Sequence, residues 1–405
     1  MTTTIATVGA GQVAAVVART LRRRGFDGRI VLIGDEPHAP YQRPPLSKEF
    51  LAGGESADSL ALLTPKWLSE NTIELRTSTK VRRVSPSDRS IELETGELLG
   101  VDAVVFATGG RPRTIETTGS RPDLVHHLRT LDDSMALAQR LSAGTRLAII
   151  GGGFIGLEIA STAVGLGVSV TVLERGSLPL IGVLGPQMAD FCTGLHRERG
   201  VDIRTDALVR EVRTSDAGVR ITLSDGHLIE ADAVVVGIGI EPNVEVAVAS
   251  GLPTAGGIVV DGSGRTGIPN IYAAGDVACR VSEGGSSRVE HFDNANRQAG
   301  VVANAILGRD TASDDPHWFW SDQYGMNIQL TGNTRGATDL VIRGDQDSGE
   351  FAAFYLQQGV LRAAFAIDRG EDIMAARELI GQPVDRRILA DEDADLWEID
   401  EQMVN

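Results

Sequence analysis

Gly151-Gly152-Gly153-Phe154-Ile155-Gly156-Leu157-Glu158 is the stretch on which the reading of this chain turns. The apolar run 146–150 before it has the length of a buried strand, and 154–166 after it has the pattern of a helix. A second strand-like run, 168–173, ends at Glu174. Gly151, Gly153 and Gly156 supply a G-x-G-x-x-G spacing. The first glycine permits a tight turn, the second lets a pyrophosphate approach the backbone, and the third lets the helix pack close to the strand. The phosphates would sit at the helix N-terminus, where unpaired amides and the helix dipole favour an anion. Glu174 follows at about 20 residues, where an acid reaches an adenosine ribose. The glycine spacing alone would be weak. Strand, loop, helix and acid in this order indicate a dinucleotide site.

The same device recurs at the N-terminus. A short apolar strand, 4–8, runs into Gly9-Ala10-Gly11-Gln12-Val13-Ala14, then an amphipathic helix to about Arg24. The next strand, 29–33, ends in Gly34-Asp35-Glu36. Ala14 takes the third small position, a tolerated variant, and Asp35 is the expected ribose acid with Glu36 the alternative. Two dinucleotide sites in one chain suggest two dinucleotides that must meet. Flavin and nicotinamide are the usual pair, because a hydride passes directly between them.

The 405 residues suffice for two or three domains, each with its own core. No apolar run reaches the length that spans a bilayer, and the first strand begins too early for a signal peptide. Two cysteines point to a reducing compartment, hence a cytoplasmic protein. A net charge of -17 argues against nucleic acid and anionic membrane as partners, though not against a local basic patch.

After Asp35, His38–Lys48 carries three prolines with Arg43 and Lys48, a rigid loop leading into a helix expected to start near Ser47. Strands are expected at 73–84, 90–93 and 102–107, the last running into Thr108-Gly109-Gly110-Arg111-Pro112. A helix follows Asp132-Asp133. Residues 178–186 read as a Gly/Pro loop, 188–199 as a helix, and 203–205, 208–213, 219–223 and 233–236 as strands of a sheet insertion. The last opens into Gly237-Ile238-Gly239. A short strand is expected at 258–260. Tyr272-Ala273-Ala274-Gly275-Asp276 reads as a strand ending in Gly-Asp before a helix, with the acid placed to accept from a polyol and the next amides facing phosphate. A helix is expected from Glu290 to about Leu307. Past Asp310, Trp318–Tyr324 concentrates aromatics in a chain with only 4% of them. It is followed by a meander at 327–330, 340–343, 351–356 and 360–366, a helix at 373–380 and an acidic stretch, Asp391 to Glu401, which together suggest an α+β domain.

Together these residues resemble the NADH-dependent ferredoxin reductases of bacterial oxygenase systems, the group of putidaredoxin reductase and the biphenyl dioxygenase reductase. The markers are Gly9–Ala14, Arg43-Pro44-Pro45-Leu46-Ser47-Lys48, Ala107–Pro112, Gly151–Glu158, Tyr272–Asp276 and Trp318–Tyr324, and they span essentially the whole chain. The proline-lysine loop and the Trp-Phe-Trp-Ser-Asp-Gln-Tyr run are far more specific than either glycine fingerprint. The resemblance implies an α/β, glutathione-reductase-like fold: two Rossmann-like dinucleotide-binding domains plus a C-terminal α+β domain. FAD would occupy a discontinuous domain, 1–112 with 243–318, NADH the domain 113–242, and 319–405 would be the C-terminal reductase domain. Gly9, Gly11, Val13, Ala14, Asp35, Arg43, Lys48, Val81, Ala107, Thr108, Gly109, Arg129, Gly275, Asp276, Phe292 and Trp320 would then serve FAD. Gly151, Gly153, Ile155, Gly156, Glu158, Glu174 and Gly239 would serve the nicotinamide cofactor. Lys48 would lie near flavin N5, paired with Glu158, as the catalytic pair. Many relatives have Gly at Ala14 and Trp at Phe292, and the second departure removes an indole N–H near the flavin.

Disulfide reductases of this fold need two cysteines a few residues apart. Cys192 and Cys279, both expected in helices, are far apart and read as buried apolar residues. The seven histidines show no metal-ligand spacing, His126-His127 reads as a surface pair, and His291 as structural. Glu174 should disfavour a 2′-phosphate by repulsion, so NADH is expected over NADPH. The expected activity is NADH-dependent reduction of an acidic [2Fe–2S] ferredoxin that feeds an oxygenase or a cytochrome P450. Arg19, Arg22, Arg23, Arg24, Arg288, Arg297 and Arg309 are the docking candidates. An NADH-sensing protein of the apoptosis-inducing-factor type and a rubredoxin reductase are the alternatives.

Overall fold

Thr4–Val8, buried at all of its positions, is the central strand of a five-stranded parallel sheet. Across the sheet the order is Ile271–Ala273, Ala103–Phe106, Thr4–Val8, Arg29–Ile33 and Ile73–Arg76. Strands covered on both faces need continuous apolar runs rather than alternation; Ala103–Phe106 and residues 30–33 supply them, whereas the edge strand Ile73–Arg76 alternates apolar and charged residues. The Gln12–Arg23 helix buries Val13, Ala14, Ala15, Val17, Ala18 and Leu21 in one core with Ala299, Val302 and Ala303 of the Phe292–Ile306 helix. Each buried Val or Leu contributes about 1.5–3 kcal/mol, so this stripe, more than propensity, holds the helix. A three-stranded antiparallel sheet, Val81–Ser85, Ser90–Leu93 and Leu98–Gly100, is appended to this unit. The computed structural model describes residues 3–282, 285–309 and 316–399.

A second unit repeats the plan. Its parallel sheet runs Val125–His126, Ala233–Val236, Arg146–Ile150, Ser169–Leu173 and Asp202–Arg204. Here too an antiparallel sheet is appended, Val209–Ser215, Gly218–Leu223 and Leu228–Ala231, with Thr117–Gly119 added in parallel. The C-terminal sheet of this unit is antiparallel, in the order Trp318–Gln323, Met326–Gly332, Val360–Ile367, Glu350–Gln357 and Asp339–Asp345. The Gly370–Leu379 helix packs Ile373, Ala376 and Leu379 into one core with Phe354 and Ala364 of this sheet.

The chain divides into Met1–Pro44, Ser56–Arg111 and Ile240–Asp314 as one unit, and Pro45–Glu55, Pro112–Gly239 and Asp315–Asn405 as the other. Residues 45–55 therefore group with the second unit, and 319–405 cluster with 112–239, whereas the sequence suggests three bodies with 1–112 undivided.

Several local expectations change. The 73–84 run is two strands, Ile73–Arg76 and Val81–Ser85, in different sheets. Ser78 between them has a positive φ of 48°, which breaks a strand. No helix starts at Ser47; Pro44–Ser47 is a 3-10 turn that ends there. The Gly/Pro loop at 178–186 is in part helical: Ile181–Glu198 is two helical pieces joined at Gly185, whose φ is 68°, with Pro186 opening the second. The supposed sheet insertion splits, since Ala233–Val236 and Asp202–Arg204 belong to the parallel sheet. The C-terminal strands are not a plain meander, because Met326–Gly332 pairs with Val360–Ile367. Trp318–Gln323, an aromatic cluster in the sequence, is itself a strand. Gly275–Val277 is a 3-10 turn followed by the Ala278–Ser282 strand, so no α-helix follows Asp276, and Cys279 lies on a strand. The acidic stretch from Asp391 ends at Glu401, outside the described residues.

Candidate functional site

The two glycine loops are built alike. Gly9 has φ +107° and its N–H donates to the Ile33 carbonyl at 2.7 Å; Gly151 has φ +109° and donates to the Leu173 carbonyl at 2.9 Å. A Cβ on Gly9 would sit 2.2 Å from the Ala107 carbonyl oxygen, and one on Gly151 would sit 2.3 Å from that of Gly237. Each loop is thus wedged against the end of the neighbouring strand. The third positions differ. A Cβ on Gly156 would meet the Gly151 carbonyl at 2.3 Å, whereas Ala14 carries its methyl fully buried. The second glycines face open space: a Cβ on Gly11 or Gly153 meets nothing within 4 Å.

These loops fit dinucleotides. Gly11 and Gly153 are N-caps with no side-chain cap bond, and neither helix has an acid in its first turn, so the N-terminal amides stay available to an anion. In the first unit, Gln12 Oε1 is buried without a partner, a polar atom that a bound cofactor would satisfy. In the second, Ile155 is 48% exposed beside Gly153, an apolar residue left open at the loop mouth. Glu174 uses one oxygen to accept from Gly152 N–H at 2.8 Å and the other to accept from Gly176 N–H at 2.6 Å. Each oxygen retains a further lone pair for a ribose hydroxyl.

Of the remaining residues expected to serve FAD, the first unit holds Asp35, exposed at its strand end, while Glu36 beside it is half-buried and engaged. Arg43 donates to Glu36 at 2.6 Å, Tyr41 donates to Glu36 at 2.5 Å, and the Arg43 guanidinium lies 5.1 Å from the Tyr41 ring centroid. Burial opposes the Arg43 charge, but Tyr41, Glu36 and Asp276 outweigh it and hold its pKa up. Thr108 and Asn243 are tied by reciprocal bonds, Thr108 hydroxyl to Asn243 carbonyl at 2.7 Å and Asn243 amide to Thr108 carbonyl at 2.9 Å, which fixes Gly109 at φ +60°. Gly275 N–H donates to Gln298 Oε1 at 2.8 Å, and Asp276 is half-buried in the turn. Val81 begins its strand and Phe292 begins its helix, each half-buried. Lys48, Arg129 and Trp320 fall in the second unit, as does Gly239, exposed at φ +96°.

The second unit also holds a buried charge cluster. Lys48 Nζ lies 3.3 Å from Glu158 Oε1, with both side chains under 9% exposed, and 3.5 Å from Asp322. Ser47 Oγ donates to Glu158 Oε2 at 2.5 Å and Ser321 Oγ donates to Oε1 at 2.6 Å. Lys48 Nζ stands 5.8 Å from the Trp320 ring centroid, and Trp320 stacks on Trp318. The loop is pinned by Ser134 donating to the Leu46 carbonyl and Thr162 donating to the Ser47 carbonyl, both at 2.7 Å. Burial pushes the Glu158 carboxyl up; Lys48, Ser321 and Ser47 pull it back without cancelling the rise. A buried charge pair of this kind is weak evidence for stability, and its removal of one partner is costly.

Ser47, Ser321, Asp322, Gln323 and His196 escape the sequence reading as site residues, although four of them stand inside its two most specific runs. Their signal was present as marker residues without a role. His196, fully buried, carries no local signal. Burial pushes its imidazole down to about 4, against the Gln323 hydrogen bond, with Arg199 adding to the fall. The unfolded chain takes up this proton near pH 6.5, and the native chain refuses it until about pH 4. Stability is thus lost as pH falls through that window, by about 3 kcal/mol when complete. Denaturant melts between pH 7 and 4 are expected to show this slope, and His196→Gln to remove it.

His126 and His127 are not a surface pair. His126 is 8% exposed, the Nε2 atoms of both are buried without a partner, and burial lowers both pKa values. His291 is the N-cap of the Phe292–Ile306 helix. Among the described residues no cluster could hold a metal ion, and no helix is long and apolar enough to cross a membrane. Cys192 and Cys279 are free and buried, and burial pushes the Cys192 thiol up to about 12, the opposite of a reactive thiolate.

The pyridine nucleotide-disulphide oxidoreductase family matches residues 3–299, and the reductase C-terminal family matches 318–399. The chain belongs to the pyridine nucleotide-disulphide oxidoreductases, in their ferredoxin reductase branch. Rhodocoxin reductase of Rhodococcus erythropolis is 38% identical over 97% of this chain and 93% of its own. Putidaredoxin reductase of Pseudomonas putida is 37% identical over 97% and 95%. Among solved structures, the reductase–putidaredoxin covalent complex superposes with TM-score 0.93 at 35% identity, covering 98% of this chain and 97% of that one. The ferredoxin reductase of the Rhodopseudomonas palustris CYP199A2 system gives 0.92 at 36% identity, over 98% and 99%.

In this family member the docking candidates are largely committed to the fold. Arg22 donates to the carbonyls of Phe26, Gly28, Asn71 and Thr72, and Arg19 to that of Leu62. Arg288 pairs with Glu290 and Arg297 with Asp293. Arg23, Arg24 and Arg309 are exposed.

Proposed function

We propose that this chain is an FAD-dependent NADH:ferredoxin oxidoreductase. It passes electrons from NADH through bound FAD to an acidic [2Fe–2S] ferredoxin, which feeds an oxygenase or a cytochrome P450. The observation that carries the reading is the buried Lys48–Glu158 pair in a chain whose two cysteines are remote in sequence and buried. Bound flavin accepts two electrons from a nicotinamide and gives them up singly. Lys48 supplies a fixed positive charge where the reduced cofactor develops negative charge, and Glu158 and Asp322 keep that ammonium in place. Glu174 closes the second glycine loop and binds ribose hydroxyls with its remaining lone pairs. Its charge repels a 2′-phosphate, so NADH is the donor. The residues assigned to FAD from the first unit hold its adenosine, pyrophosphate and ribityl parts. The free thiols fit a cytoplasmic setting.

Purified protein should carry a flavin spectrum and reduce cytochrome c quickly with NADH only when a [2Fe–2S] ferredoxin is added. Turnover should be much slower with NADPH. Flavin that bleaches with NADH yet serves no carrier would support the sensor alternative instead, and fast reporter reduction through rubredoxin alone would name a different acceptor.

A further inference from the structure

The Glu158 carboxylate ends a longer line of polar groups that the proposed reaction does not use. Gln323 Nε2 donates at 2.9 Å to the same Ser321 Oγ that bonds Glu158. Gln323 Oε1 lies 2.8 Å from His196 Nε2, and His196 Nδ1 lies 2.8 Å from the Tyr324 hydroxyl. Ser321, Gln323 and His196 are 0%, 2% and 0% exposed.

The donor direction follows from the carboxylate outward. An ionised carboxylate only accepts, so Ser321 spends its proton on Glu158 and its oxygen is left to accept. The Gln323 NH2 fills that role, which turns the Gln323 carbonyl to His196. His196 must then carry its proton on Nε2, its Nδ1 accepts, and Tyr324 donates to it. Every donor points towards Glu158. Reversing one link would set two donors or two acceptors face to face in a buried site.

We propose that Tyr324, His196, Gln323 and Ser321 form a one-way hydrogen-bond chain that holds Glu158 ionised and aimed at Lys48, and so act as positioning residues for that pair. The inference rests on the reading of Lys48–Glu158 given above. The chain conveys polarity and not protons, because the Gln323 amide cannot pass a proton without becoming an imidic acid. Hydrogen bonds in series polarise one another, so the far end is felt at the near end.

The backbone supports this. Tyr324 and Gly325, with φ of +55° and +78°, are the two-residue turn between Trp318–Gln323 and Met326–Gly332. Such a turn favours Asn-Gly, and an aromatic residue at positive φ is an outlier that only its surroundings maintain. Those surroundings are present: Tyr324 N–H donates to Ser161 Oγ at 2.8 Å, and the Arg199 guanidinium lies 4.6 Å from the tyrosine ring centroid. The charged groups facing the chain are Lys48 at Glu158, Asp322 at Lys48, and Arg199 at Tyr324 and His196. Arg199 disfavours a second proton on the imidazole, which keeps the direction fixed.

The test uses the flavin-loaded full chain. Infrared difference spectra follow the Glu158 carboxyl against pH, with Glu158→Gln assigning the band. Ser321→Ala is expected to raise its midpoint by about one pH unit. His196→Phe breaks the chain further out and should raise it by about half a unit, while His196→Gln, which restores an N–H donor, returns it to the wild-type value. In Ser321→Ala, which frees the Gln323 amide to turn over, nitrogen NMR should show the His196 Nε2–H tautomer losing its dominance. A midpoint moved by Ser321→Ala but untouched by His196→Phe would end the chain at Ser321 and overturn the proposal. If His196→Phe does not fold, Ser321→Ala decides, and a His196 tautomer unchanged in that variant overturns it. Failure of the Lys48–Glu158 reading looks different: Lys48→Met would leave flavin reduction unaffected while the Glu158 midpoints still shifted.

Discussion

Lys48→Met is expected to slow reduction of the bound flavin by NADH about 100-fold, the scale of losing one preorganised donor in a water-poor site. Methionine keeps most of the side-chain volume, so the fold of the Arg43–Lys48 loop, held through the Leu46 and Ser47 carbonyls, persists. What disappears is the positive charge 3.3 Å from Glu158. The loss should fall on the rate and not on the apparent affinity for NADH, because the glycine loop and Glu174 remain. Glu158, left without its main counter-charge in a buried site, should take up a proton at neutral pH. Glu158→Gln is expected to be milder, since Lys48 keeps its charge and Asp322, 3.5 Å away, remains as its counter-charge. Anaerobic rapid mixing read at the flavin band separates the two terms. Equal rates in wild type and Lys48→Met would remove the lysine from the reaction.

Gly9→Ala is expected to empty the flavin site. The residue sits at φ +107°, and its Cβ would be 2.2 Å from the Ala107 carbonyl. Positive φ alone costs about 1–3 kcal/mol, and the clash adds to it, so FAD affinity should fall tenfold or more. Gly151→Ala, with the Gly237 carbonyl 2.3 Å away, supplies the reciprocal result. That variant should keep a flavin spectrum and lose NADH-driven bleaching, while Gly9→Ala should lose the spectrum itself. Flavin content after purification and its reduction by NADH and by dithionite distinguish the two. Flavin fully retained in Gly9→Ala would displace FAD from the first loop.

The two glycine loops and their strands were legible because their backbone demands are local. A positive φ and a close carbonyl approach leave glycine as the residue that fits, and a double-sided strand leaves an apolar run. The family followed from runs such as Arg43–Lys48 and Trp318–Tyr324, whose specificity exceeds that of any periodicity. The split of 73–84 into two sheets was not legible, because Ser78 at positive φ has no distinctive residue type. Gly185 and Pro186 signalled a break correctly, yet helix continues on both sides, since Leu184, Met188 and Cys192 bury the same apolar core. Tertiary burial there overrode local punctuation. The roles of Ser321, Gln323 and His196 depend on contacts between residues far apart in sequence, which no spacing encodes. The same holds for His126, whose neighbour-pair pattern resembles an exposed turn although its ring is buried.

With FAD bound, this chain would take two electrons from NADH and deliver them one at a time to an iron–sulfur carrier. An anaerobic titration reads this out. NADH is added until the flavin band is bleached, an oxidised [2Fe–2S] ferredoxin is then mixed in, and the reduced cluster is counted by electron paramagnetic resonance. Recovery of the oxidised flavin band is expected, with about two clusters reduced per NADH consumed. A flavin that stays bleached while the ferredoxin remains oxidised would contradict it.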